Sequence, residues 1–343
     1  MNGDAPLLAQ SPRGAPMLAQ AANTQPQDLR MGMRWIAGGT FTMGSDHHYP
    51  EEAPAHRVRV NGFWIDPYAV TNLDFSRFVE ATGYLTVAER PANPDEYPGA
   101  VTELLLPSSV IFRKPPGRVD LRNRFEWWTY VAGADWRHPE GPESSLAGRW
   151  DHPVVHVAFA DAEAYATWVG KELPTEAEWE FAARGGLEGA EFAWGDERVP
   201  DGRHRANTWQ GEFPWQNLGE DGYEGTAPVG SFPPNGFGLY EMTGNVWEWT
   251  IDWYQDHGKI KKACCTIDNP RGGAPEQSRD PRLHNVTIPR KVMKGGSYLC
   301  APNYCRRYRP AARMPQPIDT STCHLGFRCI VRSSESISST KGA

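Results

Sequence analysis

The 343-residue sequence predicts an α+β protein with little regular secondary structure. Three observations predict it. Only three segments carry a helical period, the readable strands are few and short, and 14 Trp stand among 34 Gly and 30 Pro. That last combination sets large ring anchors in a chain repeatedly broken by turn formers. At 39% hydrophobic the chain can build a core.

The elements follow in chain order. "FTMGS", from Phe41, reads as a strand, and "HRVRVNGFWIDPYAV" alternates from Val58. In "TNLDFSRFVEATG" Thr71 can cap, Asp74 lies three residues on, Phe75, Phe78 and Val79 share a face, and Gly83 supplies the stop. "HPVVHVAF" reads as a strand. The helix in "DAEAYATWVG" starts at Asp161, with Ala164, Tyr165, Trp168 and Val169 on one stripe. In "TEAEWEFAARGG" Thr175 and Glu178 form a capping box, Trp179, Ala182 and Ala183 face inward, and Gly185 ends the helix. "LGFRCIVR" alternates near the C-terminus. Residues 84–150 and 196–237 fit no period, and loops that long are functional, or are held by bound ions or buried aromatics.

No composition shift divides residues 34–332, which read as one domain. Residues 1–33, rich in Ala, Gln and Pro, read as a disordered N-terminal segment, and 333–343 as a disordered Ser-rich tail. The start lacks a basic region and an apolar run, so no signal peptide is read. No stretch approaches the roughly 20 apolar residues of a bilayer span. A cytoplasmic protein with no membrane partner is expected, and the sequon at Asn285 then carries no meaning. The net charge of −7 is interspersed, which argues against a nucleic-acid partner.

The chemistry concentrates in "KGGSYLCAPNYCRRYRPAAR", where four residues separate Cys300 from Cys305. The spacing is wider than a C-x-x-C redox pair, and no second such pair lies nearby to complete a zinc site. Six cysteines are too few for a disulfide scaffold. Arg306, Arg307 and Arg309 follow and can lower a thiol pKa. The spacing alone leaves open a structural or regulatory disulfide and a thiolate pair for a soft ion. His152 and His156 lie on a segment read as a strand, which spreads their rings, and no carboxylate follows at a useful position, so no iron-binding facial set is found. Cys264 and Cys265 are adjacent, where a strain-free bond is not expected. They, Cys323 and Cys329 read as structural or incidental thiols.

In order along the chain, "WIAGGTFTMGS", "HPVVHVAFADAEAYATWVGKELPTEAEWEFAARGG", "NTWQGEFP", "FPPNGFGLYEMTGNVWEWT", "KGGSYLCAPNYCRRYRPAAR" and "LGFRC" resemble the formylglycine-generating enzymes, the sulfatase-modifying factors. The resemblance runs from about Met33 to Arg332. The wider superfamily includes non-catalytic binders and iron-dependent sulfoxide synthases, and the two cysteines of "SYLCAPNYC" narrow it to the copper enzyme.

The resemblance implies a C-type lectin-like variant fold and an oxidase. The client is an unfolded or nascent sulfatase whose C-x-P-x-R cysteine becomes Cα-formylglycine, with dioxygen, a thiol reductant and Cu(I), and the enzyme acts as a monomer. Cys300 and Cys305 would hold the copper, since soft thiolates suit a soft ion that accepts two ligands. Ser297, Trp247 and Tyr304 match residues lining the oxygen and substrate pocket, although aromatics of this kind also simply pack. Ser144 matches a position on the peptide groove. His324 stands where some relatives carry Asn at the groove, and Ala301, Pro302 and Asn303 replace a more polar run. Two calcium sites are implied as well. The first comprises Asn207, Asp221 and the carbonyls of Thr208 and Tyr223, and the second Glu241, Gly244, Val246 and Glu248, where Glu241 replaces a neutral amide. Competing readings are a lectin-like binding module, which has no need of Cys300 and Cys305, and an iron enzyme of the same fold.

Overall fold

A computed structural model describes residues 29–97, 99–259, 265–283 and 286–333. Most of the expected terminal segments, Cys264 and Asn285 lie outside these. Residues 29–33, assigned by sequence to the disordered segment, pack on the domain: Met33 is buried, and Leu29 reaches Gly170.

The capped helices form where their local chemistry dictates. In α1 (Asn72–Thr82) the Thr71 hydroxyl accepts from Asp74 N at 3.1 Å, and Gly83 closes the helix at φ 67°. In α3 (Glu176–Arg184) Thr175 and Glu178 cap each other reciprocally at 3.1 and 2.7 Å. The middle helix, α2 (Phe159–Trp168), starts two residues before Asp161, whose carboxylate accepts from Ala158 N at 2.8 Å. Its inward face is therefore Ala162, Tyr165 and Ala166, while Trp168 is exposed.

Four small sheets surround these helices among the described residues. One joins both ends of the domain: β1 (Arg34–Ile36) and β12 (Ile330–Arg332) flank β4 (Phe63–Ile65). A second pairs β2 (Gly39–Met43) with β3 (His56–Val60), which continues to β8 (Ile267–Asp268). A third, β5 (Ser108–Phe112) against β6 (Trp128–Ala132), lies inside the stretch that showed no period. The fourth positions the site: β10 (Arg313–Pro317), β9 (Arg290–Lys294), β7 (Trp247–Trp253) and β11 (Leu325–Gly326), in that order. Residues 295–312, with both loop cysteines, connect its neighbours β9 and β10.

The expected strand "HPVVHVAF" is corrected. Residues 153–159 are buried throughout, so no solvent face exists for an alternating pattern, and His156 takes φ 61°. Its ring bonds Ser109 Oγ at 2.7 Å and the Pro139 carbonyl at 2.9 Å. Burial lowers its pKa to about 4.

The interior also carries charge. Arg313 forks onto Glu176, and Lys294, fully buried on β9, meets Glu180 at 2.9 Å. Burial alone would raise Glu176, but Arg313, His257 and Lys294 hold it well below the carboxylate range. These pairs fix α3 against the sheet that carries the cysteine loop.

Candidate active site

The loop after β9 brings the two cysteines together by local turns. Cys300 N donates to the Ser297 carbonyl at 2.9 Å, and Cys305 N to the Ala301 carbonyl at 2.9 Å. The sulfurs lie 3.2 Å apart as free thiols, Cys300 buried and Cys305 half-buried. A disulfide is shorter, about 2.05 Å.

Their electrostatics differ. Burial, then the hydrogen bond with Cys305, pushes the Cys300 thiol well up. Cys305 is lowered to about 7, first by the hydrogen bond from Cys300 and then, against burial, by the Arg307 guanidinium, whose Nη1 lies 3.8 Å from its sulfur. Cys305 is thus the more acidic of the two thiols and lies beside a cation.

Of the three arginines expected to act on the thiols, only Arg307 reaches one. Arg309 is buried and forks onto Glu52 at 2.5 and 2.8 Å, and Arg306 pairs with Glu191. Arg307 itself is held by Glu51 at 2.5 Å and lies 3.7 Å over the Tyr49 ring. Tyr49, Glu51 and Glu52 were missed in the sequence, which gives no signal for a clamp arriving from the opposite end of the chain.

Around the sulfurs the remaining predicted residues divide. Trp247 is buried in the same cluster as Cys300, with Cys305 packed against it. Tyr304 stacks on Phe213 at 4.4 Å and keeps 40% of its surface exposed. Ser297 Oγ lies 2.9 Å from His324 Nδ1 and accepts from Leu299 N at 3.3 Å. Burial pushes His324 down to about 3, so the ring that shares this hydrogen bond with Ser297 is neutral. The His324 ring also packs on Trp128 at 5.0 Å. Ser144 turns inward: its hydroxyl donates to the Gly141 carbonyl at 2.7 Å and accepts from Glu140 N at 3.0 Å. That hydroxyl holds its own turn, and no contact joins it to the cysteines.

Part of the first calcium set lies together, with Asp221 against the backbone of Thr208 and Tyr223. Asn207 Oδ1 is buried without a hydrogen-bond partner. The Gln210 amide bridges the Thr208 carbonyl and Asp221 Oδ2, which it meets at 2.6 Å. Asp221 also accepts from Thr208 N at 2.9 Å and Tyr223 N at 3.0 Å. An orphaned amide oxygen, a carbonyl and a carboxylate on one loop suit a hard cation.

In the second set both carboxylates are engaged by protein donors. Both Glu248 oxygens are taken by Arg328 at 2.7 Å, and one also accepts from Trp179 Nε1. Glu241 is spent on Gly230 N and Phe232 N at 2.9 and 3.0 Å. Gly244 donates to the Gly295 carbonyl, its Cα tight against Asn207, and Val246 is buried in an apolar cluster. Arg328 gives Glu248 a protein counterion, while Glu241 has no salt bridge among the described residues. Among the described residues, no three His, Cys, Asp or Glu side chains gather as a metal cluster. His152 bonds Thr226, far in role from His156, and Cys323 and Cys329 are buried thiols.

Residues 18–333 match the Sulfatase-modifying factor enzyme 1-like domain. The chain is 52% identical over 298 residues to the formylglycine-generating enzyme of Mycobacterium tuberculosis, covering 86% of this chain and 96% of the relative. It is 48% identical over 299 residues to that of Mus musculus, covering 86% and 73%. Among solved structures, PvdO from Pseudomonas aeruginosa superposes with a TM-score of 0.59 at 23% identity, covering 88% of this chain and 94% of that one, which shows the shared fold. The fold is the expected α+β, lectin-like variant, and the chain belongs to the formylglycine-generating enzyme family of sulfatase-modifying factors.

Proposed function

We propose that this protein converts the cysteine of a C-x-P-x-R segment in an unfolded or nascent sulfatase to Cα-formylglycine, with dioxygen, a thiol reductant and Cu(I) held by Cys300 and Cys305. The observation that carries the reading is the free thiol pair 3.2 Å apart, one member lowered to about 7 beside Arg307. A two-sulfur set suits a soft monovalent ion better than a hard one. Such an ion would supply dioxygen activation next to a bound substrate thiolate. The overall change balances when the substrate cysteine, one O2 and two reductant thiols give the aldehyde, sulfide, water and a disulfide.

The chain's own groups divide the remaining work. The Cys300 hydrogen bond and then Arg307 lower the Cys305 thiol, and Glu51 and Tyr49 hold Arg307. Ser297, oriented by neutral His324, keeps a fixed hydroxyl in the pocket. Trp247 closes the pocket to bulk water from the core side, and Tyr304 with its Phe213 stack presents an apolar wall to an incoming peptide. Calcium at Asn207, Thr208, Asp221 and Tyr223 would hold the 196–237 stretch; its Trp209 N donates to the Cys300 carbonyl at 3.0 Å. A reducing cytoplasm and action as a monomer complete this reading. Among the described residues no helix is long and apolar enough to cross a membrane.

The test is aldehyde formation in a C-x-P-x-R peptide, read by mass spectrometry after incubation with protein, Cu(I), reductant and air. Wild type should convert it, and Cys300→Ser and Cys305→Ser should each lose tight Cu(I) binding and most turnover while melting near wild type in the apo form. Active serine variants would refute the copper assignment, and an unchanged peptide with copper-loaded wild type would refute the activity.

A further inference from the structure

The connection from β5 to β6 lies outside the proposed copper and calcium sets, yet its end stands against the cysteine loop. Trp127 is fully buried there and meets the Tyr304 and Phe213 rings edge-on, each at 5.5 Å. Tyr304 directly precedes Cys305. The three residues before Trp127, Arg124–Glu126, form one 3-10 turn that Asn123 closes: Asn123 Oδ1 accepts from Phe125 N at 3.3 Å, and Nδ2 donates to Glu126 Oε1 at 3.0 Å. That turn presents Phe125 to solvent at 76% exposure, with the Arg124 guanidinium 5.6 Å from its ring centre. A lone exposed aromatic is ordinary on a surface. Here it is joined to a cation without a counterion.

The charge on this connection is one-sided, since residues 113–126 carry five Arg or Lys against two Asp or Glu. Arg118 forks onto Glu212, the residue before Phe213, at 2.6 and 2.7 Å, and Arg122 forks onto Asp120. Lys114 meets Glu224 at 3.4 Å, and Arg113 donates to the Glu140 carbonyl at 3.2 Å. Among the described residues Arg124 makes no ion pair. Its charge reaches the site: burial and the two thiols raise the Tyr304 hydroxyl, and Arg307 and Arg124 oppose the rise. Phe125 is two residues from Trp127, at most about 8 Å of chain, so the turn is in reach of the residues flanking a C-x-P-x-R motif whose cysteine lies beside Cys305.

Resting on the C-x-P-x-R reading above, we propose that Arg124 and Phe125 select the client polypeptide by the segment that flanks the motif: a flanking carboxylate pairs with Arg124 while an apolar neighbour covers Phe125. An acidic and apolar flank satisfies both groups at once. A basic flank meets the surplus cations of the connection and is disfavoured by like-charge repulsion.

Binding is read by fluorescence anisotropy with the full chain and labelled peptides in which serine replaces the reacting cysteine, so neither copper nor turnover is required. The peptides share one motif and carry Glu-Leu, Lys-Leu or Gly-Ser pairs on both sides of it. Wild type should bind the Glu-Leu peptide about two- to fivefold tighter than the Lys-Leu peptide at low salt, and the preference should shrink at high ionic strength. Arg124→Gln should abolish the preference and Arg124→Glu should invert it, while Phe125→Ser should remove the advantage of Leu-containing flanks. These side chains are exposed, so the variants should fold. With copper-loaded protein and the cysteine peptides, the same preference should appear in KM and not in kcat. Equal binding of the Glu-Leu and Lys-Leu peptides by wild type, or a preference that persists in Arg124→Glu, would overturn the proposal. Failure of wild type to bind or convert even the Gly-Ser peptide would remove the underlying reading, and the proposal with it.

Discussion

Arg328→Met tests the assignment of a guanidinium, rather than a calcium ion, to Glu248. Arg328 and Glu248 are 0% and 1% exposed, and two 2.7 Å bonds join them. Arg328 also donates to the Tyr240 and Pro67 carbonyls at 2.9 and 3.2 Å. Methionine nearly preserves the volume but strands a buried carboxylate, which costs about 3–5 kcal/mol. In a domain of this size about 2 °C accompanies each kcal/mol, so Tm should fall by roughly 6–10 °C. Glu248→Gln in the same background removes the stranded charge and should recover part of the loss, giving a double-mutant coupling above about 1 kcal/mol. Differential scanning calorimetry with and without calcium is the assay. The calcium-dependent rise should be equal in wild type and Arg328→Met, since both keep the Asp221 loop. A larger calcium rise in the variant would mean that Glu241 and Glu248 do bind the ion, and the reasoning would be refuted.

Two further outcomes are expected. On the calcium proposal, exhaustive chelation, or Asp221→Ala, should lower Tm and slow peptide turnover through loss of the ion that would hold the 196–237 stretch; unchanged stability and no calcium by elemental analysis would remove the site. His156 titrates at about 4 in the fold against an ordinary 6.5. The folded protein therefore binds fewer protons than the unfolded chain between these values, and this group's contribution is full above 6.5 and is lost as pH falls toward 4, by up to about 3 kcal/mol. Urea melts at pH 7 and 4.5 should show a shallower acid loss for His156→Asn; Asp161, raised to about 6 by burial, opposes the trend and is common to both proteins.

What could be read in the sequence was local. The caps of α1 and α3 lie within three residues of their partners, and turns within residues 297–305 bring the cysteines together, so short motifs carried them. The β5–β6 pair escaped because the connection from 113 to 127 is no hairpin turn and the exposed face of β6 carries Tyr130 rather than charge. Trp168 was placed on the buried stripe of α2 because a Trp at helical spacing resembles core; it lies at the edge of that stripe, packed on Phe78 and Tyr165 yet 43% exposed. The second calcium set was read from its carboxylates alone, because the guanidinium on Glu248 comes from Arg328, 80 residues away.

The clamp on the cysteine loop has a consequence for biogenesis. Arg307 reaches Glu51 across 256 residues of sequence, and Arg309 reaches Glu52 across 257. Contacts of such separation form late, after the intervening chain has closed its own loops. A growing polypeptide therefore exposes both thiols from the ribosome before the guanidinium beside Cys305 is anchored, and a C-terminal fragment with the whole "SYLCAPNYC" loop would own the sulfurs without their electrostatic setting. The anchoring of Arg307 is thus a property of the folded domain: residues 51 and 307 must meet before the guanidinium beside Cys305 is held in place.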